Sequence, residues 1–278
     1  MTYATTIDGT RHVSLDEIEH AEAGGLTEEE AVARLEPLSH ELRELQELLF
    51  AAETNGVVVV LQGMDASGKD VTIQNVFTVA TPEAIRVKHF GQMTDEEEKH
   101  DFLWRAHATT PARGELVIFD RSYYEQIVLP QVEGDATAEA TTERAEDVKA
   151  FESILMHGGA IVVKFFLHVG ADEPERRLVE RMENRDTAWK ISARDWRARR
   201  SWDAYMNAYE TAMNQTATEK APWHVVPADR QWFHNLVVAQ TLVERLRPYR
   251  EAWLDARDRR GERKASEARE EVPEEVSA

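Results

Sequence analysis

The sequence predicts an α/β protein with a parallel, doubly wound sheet and a helical segment inserted between its last two strands. Three observations support this prediction. Short apolar runs typical of buried strands recur along the chain, helical patterns lie between them, and one long helical stretch contains no strand-like run. Strands that alternate with helices are typical of parallel sheets covered by helices on both faces.

The chain begins with a segment that we predict to be an N-terminal arm. Residues 1–26 are polar and show no regular apolar period. A helical pattern starts at Thr27, where Thr27 and Glu30 match a capping box, and leucines follow at helical spacing. The pair Asn55-Gly56 predicts the end of this first helix.

Five apolar runs predict the strands of the sheet. The first, 57–61, is continuous and β-branched, which favours a strand buried on both faces. The others are residues 84–88, 116–119, 161–167 and 223–226. Helices are predicted between them, for example at 95–108 and 144–157. Together these elements predict one domain over residues 27–257.

The segment at about 172–216 has no strand signal and is predicted to be a helical lid. Between Arg176 and Arg200 it carries nine Lys or Arg residues against four acidic ones. Such a run favours anion binding, although a solvated helical surface is an open alternative. Residues 258–278 are charged and lack large apolar side chains, so we predict a disordered tail there.

The composition excludes several classes of function. The net charge of −19 disfavours binding to nucleic acid or to an anionic membrane, and no apolar run reaches the roughly 20 residues that a membrane span needs. The N-terminus has no basic start followed by an apolar stretch, which argues against a secretory signal. With no cysteine in the chain, we expect a cytoplasmic protein without disulfides.

The first predicted strand leads directly into a phosphate-binding loop, GMDASGKD at residues 63–70. It matches the pattern G-x-x-x-x-G-K. Gly63 and Gly68 permit backbone angles that turn the N–H groups of the loop, including those of Ala66 and Ser67, toward one anion. Lys69 adds a mobile positive charge. Asp70 stands where a serine or threonine normally ligates Mg²⁺.

Two carboxylates predict a Mg²⁺ site beside this loop. Asp65 lies inside the loop, where a carboxylate repels phosphates unless a cation lies between them. Asp120 follows the run 116–119, as in a Walker B strand, and should meet Asp65 at the carboxyl edge of the sheet. Arg121 can pair with a phosphate in bidentate fashion. The alternatives are an Asx-turn at Asp65 and a turn residue at Asp120.

Beyond these residues, the chain resembles the type 2 polyphosphate kinase family of P-loop phosphotransferases over about residues 30–247. Besides the loop, the resemblance rests on DFLWR at 101–105, TPARGELVIFDRSYYEQIV at 110–128, WKISARDWRARRSWDAYMNAYE at 189–210 and APWHVVPADRQW at 221–232. It implies a thymidylate-kinase-like fold with a helical lid. It also implies transfer of a terminal phosphate between polyphosphate and a nucleoside mono- or diphosphate.

The resemblance also implies roles for individual residues. Asp65 and Lys69 match the Walker A site, Asp120 and Arg121 the Walker B site, and Glu125 the same motif. The basic lid positions match Arg181, Lys190 and Arg199. The family implies Mg²⁺, with Mn²⁺ as an alternative metal, and a homo-oligomer. The segments at 101–105 and 110–115 look most like the branch that accepts both AMP and ADP, and GMP or GDP are further candidate acceptors.

Three positions depart from the family pattern. Val71 stands where the family commonly has glycine, Gly91 where it has lysine, and Met93 where it has proline. We predict that Lys88 partly replaces the missing lysine in binding polyphosphate, a plain surface lysine being the alternative.

Two other functions remain open at this point. An ATP-dependent nucleotide or small-molecule kinase would explain the loop and the lid, but not so many basic residues in one segment. A weakened nucleotide-binding scaffold has only Val71 and Gly91 in its favour.

Overall fold

A computed structural model of the protein describes residues 3–77 and 81–271, apart from the side chains of Lys190 and Arg194. Six strands form one sheet in the order β1-β6-β5-β2-β4-β3. The strands are β1 Thr5–Ile7, β2 Gly56–Gln62, β3 Ile85–His89, β4 Leu116–Asp120, β5 Ala160–His168 and β6 Trp223–Pro227.

The α-helices lie between and after these strands. They are α1 Glu28–Ala52, α2 Lys69–Val76, α3 Trp104–His107, α4 Glu125–Glu133, α5 Ala138–His157, α6 Asp172–Glu183, α7 Ala193–Arg200, α8 Trp202–Thr216, α9 Gln231–Leu246 and α10 Arg250–Glu270. No helix in the described part of the chain is both long and apolar enough to cross a membrane.

Strand β2 lies at the centre of the sheet and sets the position of the site. Its neighbours β4 and β5 run parallel to it, β3 pairs with β4, and β6 pairs with β5 in the same direction. The chain therefore moves to one side of β2 with β3 and β4 and to the other side with β5 and β6. A ligand crevice is expected at this reversal, outside the carboxyl ends of the strands.

Apolar side chains cover both faces of the sheet, which confirms the predicted doubly wound α/β fold. Val57, Val59 and Leu61 face one core, shared with α1 and α9, while Val58 and Val60 face a second core, shared with α4, α5 and α8. Burying such a side chain fully contributes about 1.5–3 kcal/mol. The continuous apolar run of β2 follows from this burial on both faces.

The structure adds a strand in the segment predicted to be an irregular arm. β1 pairs antiparallel with β6, with Thr5 opposite Val225 and Ile7 opposite Trp223. Three residues are too few to show an apolar alternation, so the sequence gives no local signal of this strand. Its hydrogen bonds come from a partner more than 200 positions further along the chain.

Helix α1 begins as the sequence predicts, with Thr27 and Glu30 forming the capping box. It ends at Ala52, slightly before the predicted Asn55-Gly56 turn, because Glu53 adopts the left-handed conformation with φ of 50°. The helix packs against α9 and α10.

The predicted helix over 95–108 is wrong for most of its length. Only a 3₁₀ turn at Glu97–Lys99 and the short α3 are helical there. Side chains satisfy the intervening backbone instead: the Thr94 and Glu97 side chains bond each other's backbone N–H, and Asp101 Oδ1 accepts from Leu103 N–H. Such local hydrogen bonds compete with helix formation.

The segment predicted to be a helical lid is helical in the structure, whereas most of the segment predicted to be a disordered tail belongs to a helix. Residues 172–216 form α6, a 3₁₀ turn, α7 and α8, with no strand among the residues described there. The segment 258–270, for which the charged composition predicts disorder, belongs instead to α10. Arg260 explains this correction, since its guanidinium donates to Ala51 O at 2.9 Å and pairs with Glu53 on α1. Residues 272–278 of the predicted tail lie outside the described residues.

Candidate active site

The loop after β2 has the backbone geometry of a phosphate cradle. Gly63, Ala66 and Gly68 have φ values of 149°, 61° and 107°. A Cβ on Gly63 would lie 2.9 Å from Leu167 O, and one on Gly68 would lie 2.5 Å from the His234 ring. Both glycines are therefore required for close packing as well as for conformation. Ser67 is buried within the loop.

Lys69 begins α2 and bends back over the loop. Its Nζ donates to Gly63 O at 2.8 Å and to Met64 O at 2.9 Å, and the residue is only 8% exposed. Burial lowers the pKa of Lys69, and the nearby Arg121 guanidinium lowers it further. The ammonium group is thus held beside the cradle, where a bound phosphate would favour its charged form.

Asp120 and Arg121 occupy the neighbouring strand end, as predicted. Asp120 pairs in register with Leu61, and Arg121 N–H donates to Leu61 O at 3.0 Å. Arg121 has φ of 58°, a left-handed conformation that costs a non-glycine residue roughly 1–3 kcal/mol. This turn directs the guanidinium toward the loop.

Arg121 forms an ion pair with Asp65, which joins the two halves of the predicted site. Burial alone would lower the pKa of Arg121, but the carboxylates of Asp65 and Glu125 raise it above its ordinary value. The guanidinium is therefore charged at any physiological pH and neutralises carboxylates on both sides.

His89 is a site residue that sequence reasoning missed. Its Nδ1–H donates to Asp120 Oδ2 at 2.7 Å, because β3 ends in register with β4 and places His89 opposite Asp120. The available signal was a histidine at the end of a predicted parallel strand, but the neighbour of that strand cannot be read from local sequence.

Asp120 has the donor chemistry of a Mg²⁺ ligand. Its Oδ1 atom is buried and has no hydrogen-bond partner among the described residues, while Oδ2 is oriented by His89. No group of three or more His, Cys, Asp or Glu side chains able to hold a metal occurs in the described ranges. Mg²⁺ does not need one, since it commonly takes one or two carboxylates together with substrate phosphates and water. The residues present fit such an ion.

A first cavity of about 1040 Å³ opens above the loop. It is lined by loop residues, strand-end residues and lid residues, among them Asp65, Ala66, Ser67, Gly68, Lys69, Asp70, Val71, His89, Asp120, Arg121, Arg177, Arg181 and Trp189. The cations Lys69, Arg121 and Arg181 gather here although the whole chain carries a net charge of −19. Five carboxylates also line it, so a polyanion would bind here together with a cation that offsets their charge: Asp65, Asp70, Asp120, Glu180 and Asp195.

A second cavity of about 600 Å³ lies on the other side of Arg121. Arg105, Glu125 and Tyr205 line it, together with Gly91 and Met93, two of the positions that depart from the family pattern. Arg121 lines both cavities. The side chain that pairs with Asp65 therefore stands where contents of the two cavities would meet.

Arg105 was not predicted as a functional residue. Its buried guanidinium lies 5.1 Å from the Phe90 ring centre and donates to Gly91 O at 2.9 Å. Burial lowers the pKa of Arg105, while Glu97 opposes this effect. This arginine supplies the second cavity with a fixed positive charge.

Arg177 was also missed, although it belongs to the basic run of the lid. It donates to Ala66 O at 3.0 Å in the phosphate loop, to Ala228 O at 2.7 Å and to Asp229 O at 2.9 Å after β6, and pairs with Glu173. Burial lowers the pKa of Arg177, and Glu173 opposes this shift. This side chain ties α6, the first helix of the predicted lid, to the loop.

The other predicted basic residues are scattered. Arg181 lines the first cavity, whereas Arg199 lies over the Trp202 ring at 5.7 Å and pairs with Glu175 at 3.4 Å. Lys88 Nζ lies 5.9 Å from the Phe90 ring centre. Neither Arg199 nor Lys88 is among the described residues that line the two cavities. The side chain of Lys190 lies outside what the structure describes.

Comparisons with known proteins identify the family of the chain. The family model described as Polyphosphate kinase 2 matches residues 25–252. An AMP/ADP-polyphosphate phosphotransferase of Meiothermus ruber is 44% identical over 216 residues, covering 78% of this chain and 81% of the relative. An ADP-polyphosphate phosphotransferase of Rhodopseudomonas palustris is 35% identical over 215 residues, covering 73% and 74%.

Solved structures show the same fold. The crystal structure of polyphosphate kinase 2 from Arthrobacter aurescens TC1 matches with a TM-score of 0.82 and 34% identity, covering 88% of this chain and 92% of that chain. From its sequence, its fold and the arrangement of these residues, the chain belongs to the polyphosphate kinase 2 family.

Proposed function

We propose that the protein transfers a terminal phosphate between inorganic polyphosphate and a nucleoside mono- or diphosphate, with AMP and ADP as the first candidate acceptors and GMP and GDP as further ones. The observation that carries this proposal is the position of Arg121 between two cavities that each hold fixed cations. Relatives named for AMP, ADP and polyphosphate support the choice of substrates.

The chemistry needs mainly positioning and charge neutralisation. In the nucleotide-forming direction, an oxygen of the acceptor's terminal phosphate attacks the terminal phosphorus of polyphosphate, and the bond to the penultimate phosphate's oxygen breaks. The shortened polyphosphate leaves with that electron pair. Because the attacking phosphate is already ionised near neutral pH, no general base is required, and the loose transition state depends on cations for stabilisation.

Residues that line the two cavities supply the positioning and the charge neutralisation. The loop N–H groups and Lys69 bind the phosphate in the first cavity, Arg121 contacts phosphates from both sides, and Arg105 holds charge in the second cavity. Asp120, oriented by His89, would hold Mg²⁺, with Asp65 as the second predicted carboxylate and Mn²⁺ as an alternative metal. The ion, when bound, neutralises phosphate charge and fixes the reacting oxygens.

The lid completes the proposed mechanism. We propose that residues 172–216 close over the anionic substrates, with Arg181 and the predicted positions Lys190 and Arg199 contributing positive charge. Closure of this kind excludes water and completes the site. Arg177 supports the proposal because it links α6 to the loop through Ala66 O and so provides a fixed pivot for the lid.

Incubation with defined substrates tests the proposed function. Purified protein is given polyphosphate, Mg²⁺ and each of AMP, ADP, GMP and GDP, and the nucleotide products are separated and counted. Lys69→Met, which keeps the length of the side chain but removes its charge, is the matched control and should form little product. If no acceptor is phosphorylated while ATP supports transfer to a nucleotide, the ATP-dependent kinase is the correct function.

Two further expectations from the sequence are kept as proposals. A cytoplasmic location is supported by the absence of cysteine from the chain. Assembly into a homo-oligomer is supported by the family to which the chain belongs, and sedimentation of the purified protein would test it.

A further inference from the structure

A fully buried ion pair lies behind the site, outside both cavities. Lys164 on β5 is 0% exposed, and its Nζ lies 2.8 Å from Glu152 Oε2 on α5. Neither residue is among the described residues that line the two cavities. Their charges therefore have no direct contact with a substrate bound there.

The pair connects the active-site turn with the last helix of the lid. Tyr123 and Tyr124 hydroxyls donate to Glu152 Oε1 at 2.9 and 2.8 Å. Lys164 donates to the Tyr124 hydroxyl at 3.1 Å and to Thr216 O, at the end of α8, at 3.2 Å. Burial raises the pKa of both tyrosines well above its ordinary value, so both hydroxyls keep the protons that they donate.

The two tyrosines occupy the turn that carries the proposed catalytic groups. Arg121 precedes them and Glu125 follows them. The turn is also tied within itself, since Tyr124 N–H donates to Ser122 Oγ at 3.2 Å and Glu125 N–H donates to Ser122 O at 3.1 Å. Fixing both tyrosine side chains consequently fixes the direction in which this turn leaves β4.

Stability alone is a poor explanation for such a pair. The free energy lost when two charged groups are removed from water offsets much of the free energy gained from their attraction. Well-packed apolar residues of similar volume often stabilise a core equally well or better. What a buried, fully hydrogen-bonded pair provides is a defined geometry for every group bonded to it. Here those groups are the two tyrosines of the turn and the backbone end of the lid.

We propose that Glu152 and Lys164 are positioning residues, which act through Tyr123, Tyr124 and Thr216 to hold Arg121 and Glu125 in register with the closed lid. The role rests on the proposed phosphoryl transfer. It differs from the roles of the cavity residues because Glu152 and Lys164 touch no substrate.

The paired variant Glu152→Leu with Lys164→Met removes both charges and leaves neither one buried alone. It also removes the acceptor of the Tyr123 and Tyr124 hydroxyls, so kcat is compared only for protein shown to be folded by circular dichroism. We expect a folded protein whose kcat falls roughly tenfold to a hundredfold, as misplacement of reacting groups by fractions of an ångström typically costs. The KM of each substrate should change less than kcat does, because the loop N–H groups and Lys69, which the pair does not hold, keep their contacts with the phosphate. Tyr124→Phe, which deletes one hydroxyl, should give a smaller loss of kcat.

Val148→Ala is the matched control, a buried truncation on the same helix that leaves the pair intact. It should lower the melting temperature without lowering kcat. Hydrogen exchange of the amides at 121–126 and 213–217 is measured in parallel, and it should accelerate in the paired variant only. Hydrogen exchange can be measured even if the wild-type protein phosphorylates no nucleotide. That result would refute the proposed function and leave the positioning role to be decided by the exchange rates. A folded paired variant with wild-type kcat and wild-type exchange would overturn the positioning role.

Discussion

At the scale of single residues, the junction of the two cavities concentrates opposite charges in a small volume. Arg121 pairs with Asp65, Asp120 is oriented by His89, and Lys69 lies against the loop carbonyls. Asp65 therefore has a cation beside it before any substrate binds. Phosphates bound as proposed would compete with Asp65 for Arg121.

The carboxylates provide the first prediction at this scale. Asp120→Asn and Asp65→Asn should each lower kcat on the order of 100-fold or more, because phosphate charge is left without its neutralising ion. Initial rates over a Mg²⁺ titration are the measurement. If Asp65 binds metal, its variant should also need more Mg²⁺ for half-activation. A normal Mg²⁺ dependence with a low rate would instead assign Asp65 to holding Arg121.

Lys88 and Gly91 provide the second prediction at this scale. A polyphosphate chain carries about one negative charge per phosphate, so each cation along its path strengthens its binding. Lys88→Ala is expected to raise the KM for polyphosphate and leave the nucleotide KM little changed. Gly91→Lys is expected to lower the polyphosphate KM, and the added Cβ meets nothing closer than His89 at 3.4 Å. Unchanged constants in Lys88→Ala would leave it as a plain surface lysine.

At the scale of elements, the lid gives a prediction that depends on ionic strength. Arg181→Ala should slow the reaction without changing the fold, because one cation facing the first cavity is lost. Activity of the wild-type protein should also fall as salt rises, since exposed charges are screened beyond about 8–10 Å at moderate ionic strength. Rates in increasing KCl, with circular dichroism for the fold, test both statements. Salt-independent rates and an unaffected Arg181→Ala variant would favour the solvated-surface alternative.

The elements also show what local sequence can determine. Strands β2, β4 and β5 were predictable because burial on both faces requires continuous apolar runs. The loop was predictable because its glycines and lysine have fixed spacing. The prediction of a helix at 95–108 is wrong because the side chains of Thr94 and Asp101 accept hydrogen bonds from backbone N–H groups, in place of the carbonyl groups of a helix. His89, Arg105 and Arg177 acquire their roles only through partners brought near by the sheet order or the lid.

At the scale of the whole molecule, two buried histidines predict how stability depends on pH. Burial lowers the pKa of His224 to about 4 and that of His234 to about 3, with Arg245 and Arg177 respectively adding repulsion. Well above pH 6.5 both are neutral whether folded or unfolded, and about half of the unfolded groups are protonated at pH 6.5. Below that pH the unfolded chain takes up protons that the folded chain refuses, so stability falls as pH falls toward these folded-state values.

The expected slope is up to about 1.4 kcal/mol per pH unit for each histidine. Urea unfolding at several pH values between 7.5 and 5 measures it. His224→Gln should reduce the slope of the free energy of unfolding against pH, whereas His40→Gln, at an exposed position, should leave this slope unchanged. Equal slopes in the wild-type protein and in His224→Gln would contradict the assignment.

The pairing of β1 with β6 sets the order in which the chain can be completed. Thr5 leaves the ribosome first, but its partner Val225 is synthesised about 220 residues later. Closing a loop of this length costs entropy before the contact forms, so we expect the contact to form late. During synthesis the first strand stays unpaired at least until β6 has been made. Only then does it cover the outer edge of β6, which removes an open row of backbone groups that would otherwise template aggregation.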